Sequence, residues 1–176
     1  MLINSTYDKL ICLLGASDAR YRIIEHAAEG RTDIASALRN NSLTQAAKSI
    51  VVRVTITKKR RKYLLAVIPG DKYVDLTKLS QLAGGTRAAF AARDVAERLT
   101  ASVSGSIAPF FFDRELRLIV DEGLLVHEEI FFNAARLDRS VALRIEDYLR
   151  LTCPWVESIA TEVADRYGIP TLLADQ

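Results

Sequence analysis

A pair of β-prone runs separated by a basic turn most constrains how this chain can fold. Residues 49–57 mostly alternate apolar and polar side chains, whereas residues 63–68 are apolar on both faces of a strand. The two runs are joined by five consecutive cations, Lys58, Lys59, Arg60, Arg61 and Lys62. This arrangement predicts an antiparallel hairpin. Because a strand that is apolar on both faces needs cover on both sides, residues 63–68 are predicted at the centre of a sheet.

Weaker patterns along the rest of the chain predict further helices and strands around this hairpin. Helical spacing begins after the capping residue Ser5 and recurs in residues 75–82 and 95–99. Short β-prone runs occupy residues 20–26, 116–120, 129–133 and 140–145. Regular strand–helix–strand alternation is absent from this order. The sequence therefore predicts a mixed α/β (α+β) domain with a largely antiparallel sheet or partial barrel, surrounded by helices.

The end of the chain is predicted to form a separate element. Val156, Ile159 and Val163 recur at helical spacing, as they would on the apolar face of a helix. We therefore divide the chain into one domain, residues 1–152, and a C-terminal amphipathic helix and tail, residues 153–176. Such a helix could serve as a seam between two copies, so a homodimer is compatible with the sequence.

Composition and charge exclude several classes of function. The formal net charge of the 176 residues is only +2, so nucleic-acid binding would need a local basic patch. No apolar run has the roughly 18 residues of a membrane helix, and the N-terminus lacks a signal-peptide pattern, so a cytoplasmic location is expected. Cys12 and Cys153 lack metal-ligand spacing and are predicted to be buried. Without a Walker, GxGxxG or HExxH pattern, no metal or cofactor is expected.

Lys48 is the residue of the hairpin that most needs an explanation. Strand alternation places it on the face of Ile50 and Val52, at the entrance of an apolar surface. An unpaired buried ammonium is costly, so Lys48 either reaches water along its own aliphatic stem or meets an anion. The second interpretation makes Lys48 a ligand-facing residue at the mouth of a pocket, beside the small residues Ala46 and Ala47.

A loop that starts with glycine is the second candidate for chemistry. It consists of Gly105, Ser106, Ile107, Ala108 and Pro109. Glycine lets the backbone approach a ligand closely, and the N–H groups that follow it could face a developing negative oxygen, as in an oxyanion hole. The alternative is an ordinary surface turn.

Three other features each allow a structural and a functional interpretation. His26 is either an ordinary residue at a strand end or a side chain that overhangs the pocket. Asn133 closes an apolar run, and its amide either ties down the backbone or contacts a ligand. The basic turn of residues 58–62 is either a solvated hairpin tip or a site that binds the phosphate backbone of a nucleic acid.

Five segments of the chain follow one another in a recognisable order. They are RIIEH at 22–26, QAAKSIVV at 45–52, LAGG at 82–85, G-x-x-x-P at 105–109, and FNA followed by SVAL at 132–134 and 140–143. Together they resemble the YbaK/ProX family of aminoacyl-tRNA editing domains over about residues 6–152, and the last two segments are most similar to its YeaK-type subgroup. Ile107 and Ala108 differ from the better-known YbaK proteins, which tend to have a serine just before the proline.

The resemblance implies a fold, a substrate and roles for the candidate residues. The family fold is a barrel-like mixed α/β sheet, and its reaction hydrolyses the ester that joins an amino acid to the terminal adenosine of a mischarged tRNA. Lys48 matches the family's essential lysine, which is thought to engage the terminal nucleotide, and residues 105–109 match its substrate loop. His26 and Asn133 are expected to contact the substrate, and residues 58–62 the acceptor stem.

The expected activity is trans-editing deacylation of small acyl groups, of about the size of alanine or serine, with larger ones refused by steric clash. The resemblance makes mischarged aminoacyl-tRNA the expected partner, and a synthetase is compatible with it. A hypothesis of another class is a non-catalytic module that binds the aminoacyl-tRNA 3′ end or a nucleotide. Such a module would keep Lys48 and the basic turn but would not need a loop aimed at an oxyanion.

Overall fold

Short helices surround two main sheets in the computed structural model, which describes residues 5–162. Within that range the helices are α1 (Thr6–Ala16), α2 (Thr32–Arg39), α3 (Leu76–Leu82), α4 (Arg93–Thr100) and α5 (Ile145–Thr152). The strands are β1 (Tyr21–Glu25), β2 (Ala47–Thr55), β3 (Arg61–Pro69), β4 (Tyr73–Val74), β5 (Arg87–Phe90), β6 (Leu116–Asp121), β7 (Glu129–Asn133), β8 (Arg139–Arg144), β9 (Trp155–Glu157) and β10 (Ala160–Thr161). Among these helices none is long and apolar enough to cross a bilayer.

The predicted hairpin is the centre of a five-stranded sheet with the order β5-β2-β3-β6-β9. β2 and β3 pair antiparallel along their whole length, from Ala47 opposite Pro69 to Thr55 opposite Arg61. Alternate residues of β3 enter two different hydrophobic cores, with Leu65 in one and Leu64 in the other, and both are at most 1% exposed. The prediction of a central, doubly covered strand is confirmed, because burial on both faces is what its continuous apolar sequence requires.

A second sheet, with the order β1-β8-β7, is antiparallel throughout. A single bridge between Ala46 and Phe131 connects it to the start of β2. The mixed α/β class and the surrounding helices are confirmed. Most strand pairs are antiparallel, as predicted, whereas in the larger sheet β6 runs parallel to both β3 and β9. The sheets of the described residues do not close into a barrel.

The described residues that follow α5, 153–162, are not helical, which corrects the predicted C-terminal amphipathic helix over that range. β9 extends the large sheet beside β6, and β10 pairs with β4. The carboxylate of Asp121 accepts hydrogen bonds from the backbone N–H groups of Ile159 (2.7 Å) and Ala160 (2.8 Å), which keeps this segment extended. The proposed helical dimer seam therefore loses its basis. Residues 163–176 of the predicted helix and tail, which include Val163, lie outside the described residues.

The prediction that both cysteines are buried is wrong, since Cys12 and Cys153 are exposed. Leu10 and Leu14 form the buried side of α1. Cys12 lies two residues from each of them, about 200° around the helix, and therefore faces solvent. Cys153 caps the C-terminus of α5 with a φ of 41°.

Candidate active site

A cavity of about 230 Å³ lies where α2, the start of β2, the end of β7 and the loop after α4 meet. Lys48, Gly105, Ile107 and Asn133, four of the residues singled out from the sequence, line it together. Of the lining residues that the structure describes, the only ionisable ones are Lys48 and Arg39, both cations. The cavity is therefore electropositive and suits a ligand that carries or develops negative charge.

Lys48 borders the cavity because it is the second residue of β2, next to the end of the strand. Its ammonium donates hydrogen bonds to the backbone carbonyls of Gly70 (3.3 Å) and Lys72, in the turn between β3 and β4. The ammonium also lies 5.4 Å from the centre of the Tyr73 ring. These contacts explain how a half-buried cation is tolerated at the end of an apolar face.

Burial lowers the pKa of Lys48, and the nearby carboxylate of Asp71 partly opposes that shift. An ammonium has three N–H donors, and the two carbonyls use two of them. Residues 5–162 provide no acceptor for the third. Lys48 can therefore donate a charge-assisted hydrogen bond to a ligand oxygen without giving up its existing partners.

The candidate substrate loop is anchored at both ends. At its start, the carbonyl of Gly105 accepts a hydrogen bond of 2.9 Å from the amide of Asn133. At its end, the buried hydroxyl of Tyr148 donates to the carbonyl of Pro109 at 2.8 Å. Between them, Ser106 is fully buried and both its N–H and its hydroxyl donate to Val103, so Ser106 supports the loop from within.

The backbone N–H groups of Gly105 and Ile107 have no acceptor within the described part of the chain. Both residues line the cavity, whereas Ala108 and Pro109 are buried behind it. Unpaired N–H groups at the wall of a cavity are the arrangement that an oxyanion hole requires. The loop can therefore stabilise a negative oxygen as well as shape the cavity.

Gly105 packs directly against Gly30, and the contact sets the width of the cavity on this side. Gly105 adopts a φ of +87°, and a Cβ on it would lie 2.7 Å from the Cα of Gly30 and 2.9 Å from its carbonyl oxygen. Real Cβ atoms do not approach backbone atoms so closely. Gly105 therefore needs to be glycine for both its backbone conformation and its packing.

Asn133 has all of its hydrogen-bonding capacity in use. Its amide nitrogen donates to the carbonyls of Glu29 (2.8 Å) and Gly105 (2.9 Å), and its oxygen accepts from Arg39 and Ser140. The side chain thus ties the loop before α2 to the loop before β6. Within this network Asn133 acts on the cavity by positioning the backbone around it.

Arg39 is a site residue that the sequence analysis missed. The residue is only 7% exposed, and its guanidinium donates to Asn41, Asn133, Ser140 and Ser36, all of which are neutral. No carboxylate of the described residues pairs with it, and burial lowers its pKa to about 10. The signal in the sequence was the helical spacing of α2, which places Arg39 one turn after the buried Ala35.

His26 lies beside this network rather than in the cavity wall. Its Nδ1 is 2.8 Å from the carbonyl oxygen of Ala27, which can only accept, so Nδ1 carries a proton. Its Nε2 is 2.7 Å from the hydroxyl of Ser140, which in turn contacts Asn133 and Arg39. His26 therefore reaches the cavity only through two other side chains.

The basic turn lies at the opposite end of β2 from the cavity. Lys58 is ten residues beyond Lys48 along the hairpin, a distance of roughly 30 Å at about 3.3 Å per strand residue. Lys58, Lys59 and Arg60 are exposed, whereas Lys62 is half-buried and donates to the carbonyl of Ala83 at 3.1 Å. A ligand that touches both places must extend along the sheet.

Comparison with known families identifies the domain around this cavity. A family model described as the aminoacyl-tRNA editing domain matches residues 28–151. That range contains the cavity-lining residues, from Gly30 to Asn133.

Curated relatives give a second, independent comparison. The chain is 37% identical over 150 residues to the "Multifunctional Ser/Thr-tRNA deacylase ProXp-y" of Escherichia coli K12, covering 85% of this chain and 89% of the relative. The protein of the same description from Escherichia coli O157:H7 matches equally well.

Solved structures with the same fold are more distant in sequence. A crystal structure described as a candidate trans-editing enzyme for prolyl tRNA synthetase superposes with a TM-score of 0.75 at 20% identity, covering 91% of this chain and 99% of the other. A hypothetical protein superposes with a TM-score of 0.78 at 20% identity, covering 87% and 99%. At these identities the structures support the fold alone.

Proposed function

The chain belongs to the aminoacyl-tRNA editing domain family and is an aminoacyl-tRNA deacylase, and we propose that it hydrolyses the ester of tRNA mischarged with serine or threonine. The observation that carries the proposal is that Lys48 and the unpaired N–H groups of Gly105 and Ile107 line one small cavity. The name of the Escherichia coli relatives supports the choice of amino acids.

The reaction needs an electrophile, a water and stabilisation of the charge that develops between them. Attack of water on the ester carbonyl puts negative charge on the carbonyl oxygen, and the N–H groups of Gly105 and Ile107 would donate to it. The free N–H of Lys48 would bind a phosphate or ribose oxygen of the terminal nucleotide and so hold the ester in place. Asn133, which ties the loop by its Gly105 bond, would be a positioning residue.

A side-chain general base is absent from the described lining of the cavity, which holds no carboxylate and no histidine. An aminoacyl ester is already a reactive acyl donor, and a ribose hydroxyl of the substrate can orient the attacking water. Positioning and electrostatic stabilisation are then sufficient for catalysis.

The absence of a general base from the described lining also favours the second candidate, a non-catalytic module that binds the aminoacyl-tRNA end. An experiment must separate the two functions.

The test is to incubate the purified protein with tRNAs charged with serine, threonine, alanine or a bulky amino acid such as phenylalanine. We expect release of serine and threonine and no release of phenylalanine, because an editing pocket for small acyl groups refuses bulky ones by steric clash. The acid-precipitable radioactivity of the labelled amino acid measures how much aminoacyl-tRNA remains. Protection of the seryl and threonyl esters from spontaneous hydrolysis would instead identify a pure binder.

The basic turn is proposed to contact the acceptor stem when the 3′ end occupies the cavity. The triple variant Lys58→Gln, Lys59→Gln and Arg60→Gln should flatten the salt dependence of kcat/KM by a log–log slope of up to about 2.7, because each phosphate contact contributes about 0.7 to 0.9. Lys9→Gln, an exposed lysine of α1, is the control and should leave the slope unchanged. Equal slopes in the triple variant and the wild type would remove the turn from the tRNA-binding surface.

Two partner predictions remain from the family resemblance. A synthetase that acts together with the deacylase stays a prediction, as does a homodimer. Neither depends on the geometry of the cavity, so the activity proposed above stands without them.

A further inference from the structure

Two polar side chains in the cavity wall, Arg39 and Ser49, have hydrogen-bonding capacity that the described residues leave unused. The hydroxyl oxygen of Ser49 is buried and has no partner within residues 5–162. A guanidinium has five N–H donors, and the four hydrogen bonds of Arg39 leave one on Nη2 without an acceptor in that range. Leaving a buried polar group unpaired costs free energy, and a ligand group that bonded to both would remove that cost.

The ligand group that matches this pair must both accept and donate a hydrogen bond. An alcohol does so, because its oxygen can accept from Arg39 while its proton goes to Ser49. An ammonium would be repelled by the guanidinium, and a methyl group would leave both partners unpaired. An aminoacyl group is therefore expected to enter with its α-amino group turned away from Arg39.

We propose that Arg39 and Ser49 form the subsite that recognises the side-chain hydroxyl of a seryl or threonyl group. The inference rests on the deacylase function proposed above and adds the residues that select its substrate. The guanidinium is well suited to this role because four neutral partners already hold it in place, so it loses little freedom on binding. Alanine fits the same space but leaves Arg39 and Ser49 unsatisfied, so it should be hydrolysed less efficiently than serine.

The decisive measurement is the ratio of kcat/KM for one tRNA charged with serine to that for the same tRNA charged with alanine. The Ser49→Ala variant should lower this ratio about fivefold, the usual effect of one neutral hydrogen bond. Because the Ser49 hydroxyl has no hydrogen-bond partner in the part of the chain that the structure describes, this variant should fold as well as the wild type. Arg39→Lys keeps the positive charge but removes the planar fork, and should lower the ratio roughly tenfold or more.

Control variants separate selection from structural damage. Ser80→Ala makes the same chemical change at a buried serine of α3 outside the cavity lining, and should leave the ratio unchanged. Arg39 also donates hydrogen bonds to Asn133 and Ser140, which hold the cavity wall in place. An equal loss of kcat/KM for seryl- and alanyl-tRNA in Arg39→Lys would reflect the loss of those hydrogen bonds alone.

The possible results distinguish this inference from the proposed function. If the wild type hydrolyses neither ester, the proposed function fails. If it hydrolyses seryl- and alanyl-tRNA equally well, or if Ser49→Ala and Arg39→Lys both keep the wild-type ratio, the deacylase function stands and the hydroxyl subsite is overturned. A fall in the ratio in both variants, with Ser80→Ala unchanged, supports it.

Discussion

Replacement of Lys48 by alanine is expected to lower kcat/KM for seryl-tRNA at least a hundredfold while the protein remains folded. Removing one preorganised electrostatic contact typically costs a factor of about 10² to 10³ in rate. The folded state should lose little, because the ammonium is half-buried and its two protein partners are carbonyls of a turn that water can reach after the substitution. Initial rates of amino-acid release, with thermal unfolding measured on the same samples, check both parts.

Two further variants assign the loss to the charge of Lys48. Lys48→Met keeps the length and most of the volume of the side chain, so it should lose as much activity as the alanine variant if the ammonium is what matters. Lys78→Ala removes a lysine of α3 that does not line the cavity and should keep activity within about twofold of the wild type. A Lys48→Met enzyme with wild-type kcat/KM would eliminate the role proposed for the ammonium.

The parts of the fold that the sequence predicted are those in which local pattern and burial agree. The hairpin was predictable because the alternation of residues 49–57 and the continuous apolar run of residues 63–68 are direct consequences of half and full burial. Residues 155–157 and 160–161 form short strands although the apolar spacing of this segment fits a helix, because the contact that determines its conformation is long-range. Asp121 holds Ile159 and Ala160 from 38 and 39 residues away, and periodicity carries no information about such a partner.

The candidate site also contains residues that the sequence pattern singles out and residues that it does not. Lys48 could be picked out because a cation on an apolar strand face breaks a local rule, and Gly105 because glycine opens the loop. Arg39 and Ser49 break no such rule, since an arginine near a helix end and a serine in a strand are ordinary residues. Only the folded structure shows that both residues line one cavity, and that the Ser49 hydroxyl oxygen is buried there without a partner among the described residues.

The second large effect is expected at Gly105, whose substitution by alanine should lower kcat/KM by about a hundredfold or more. The new Cβ would lie 2.7 Å from the Cα of Gly30, so the loop must move away from that backbone. Displacement of a catalytic group by about 1 Å can cost a factor of about 100. The N–H groups of Gly105 and Ile107 would move with the loop, which removes the donors proposed for the oxyanion.

Gly84 provides a matched control for the effect of backbone strain alone. It also has a positive φ, +68°, but a Cβ there would meet no atom within 4 Å. Gly84→Ala should therefore lose stability, by about 1 to 2 kcal/mol for a left-handed residue, yet keep wild-type kcat/KM. Because both variants carry the strain, the difference in kcat/KM between them isolates the contact of Gly105 with Gly30. If Gly105→Ala loses stability like Gly84→Ala but keeps full activity, the position of the loop does not control the reaction, and the oxyanion donors must be sought elsewhere in the cavity.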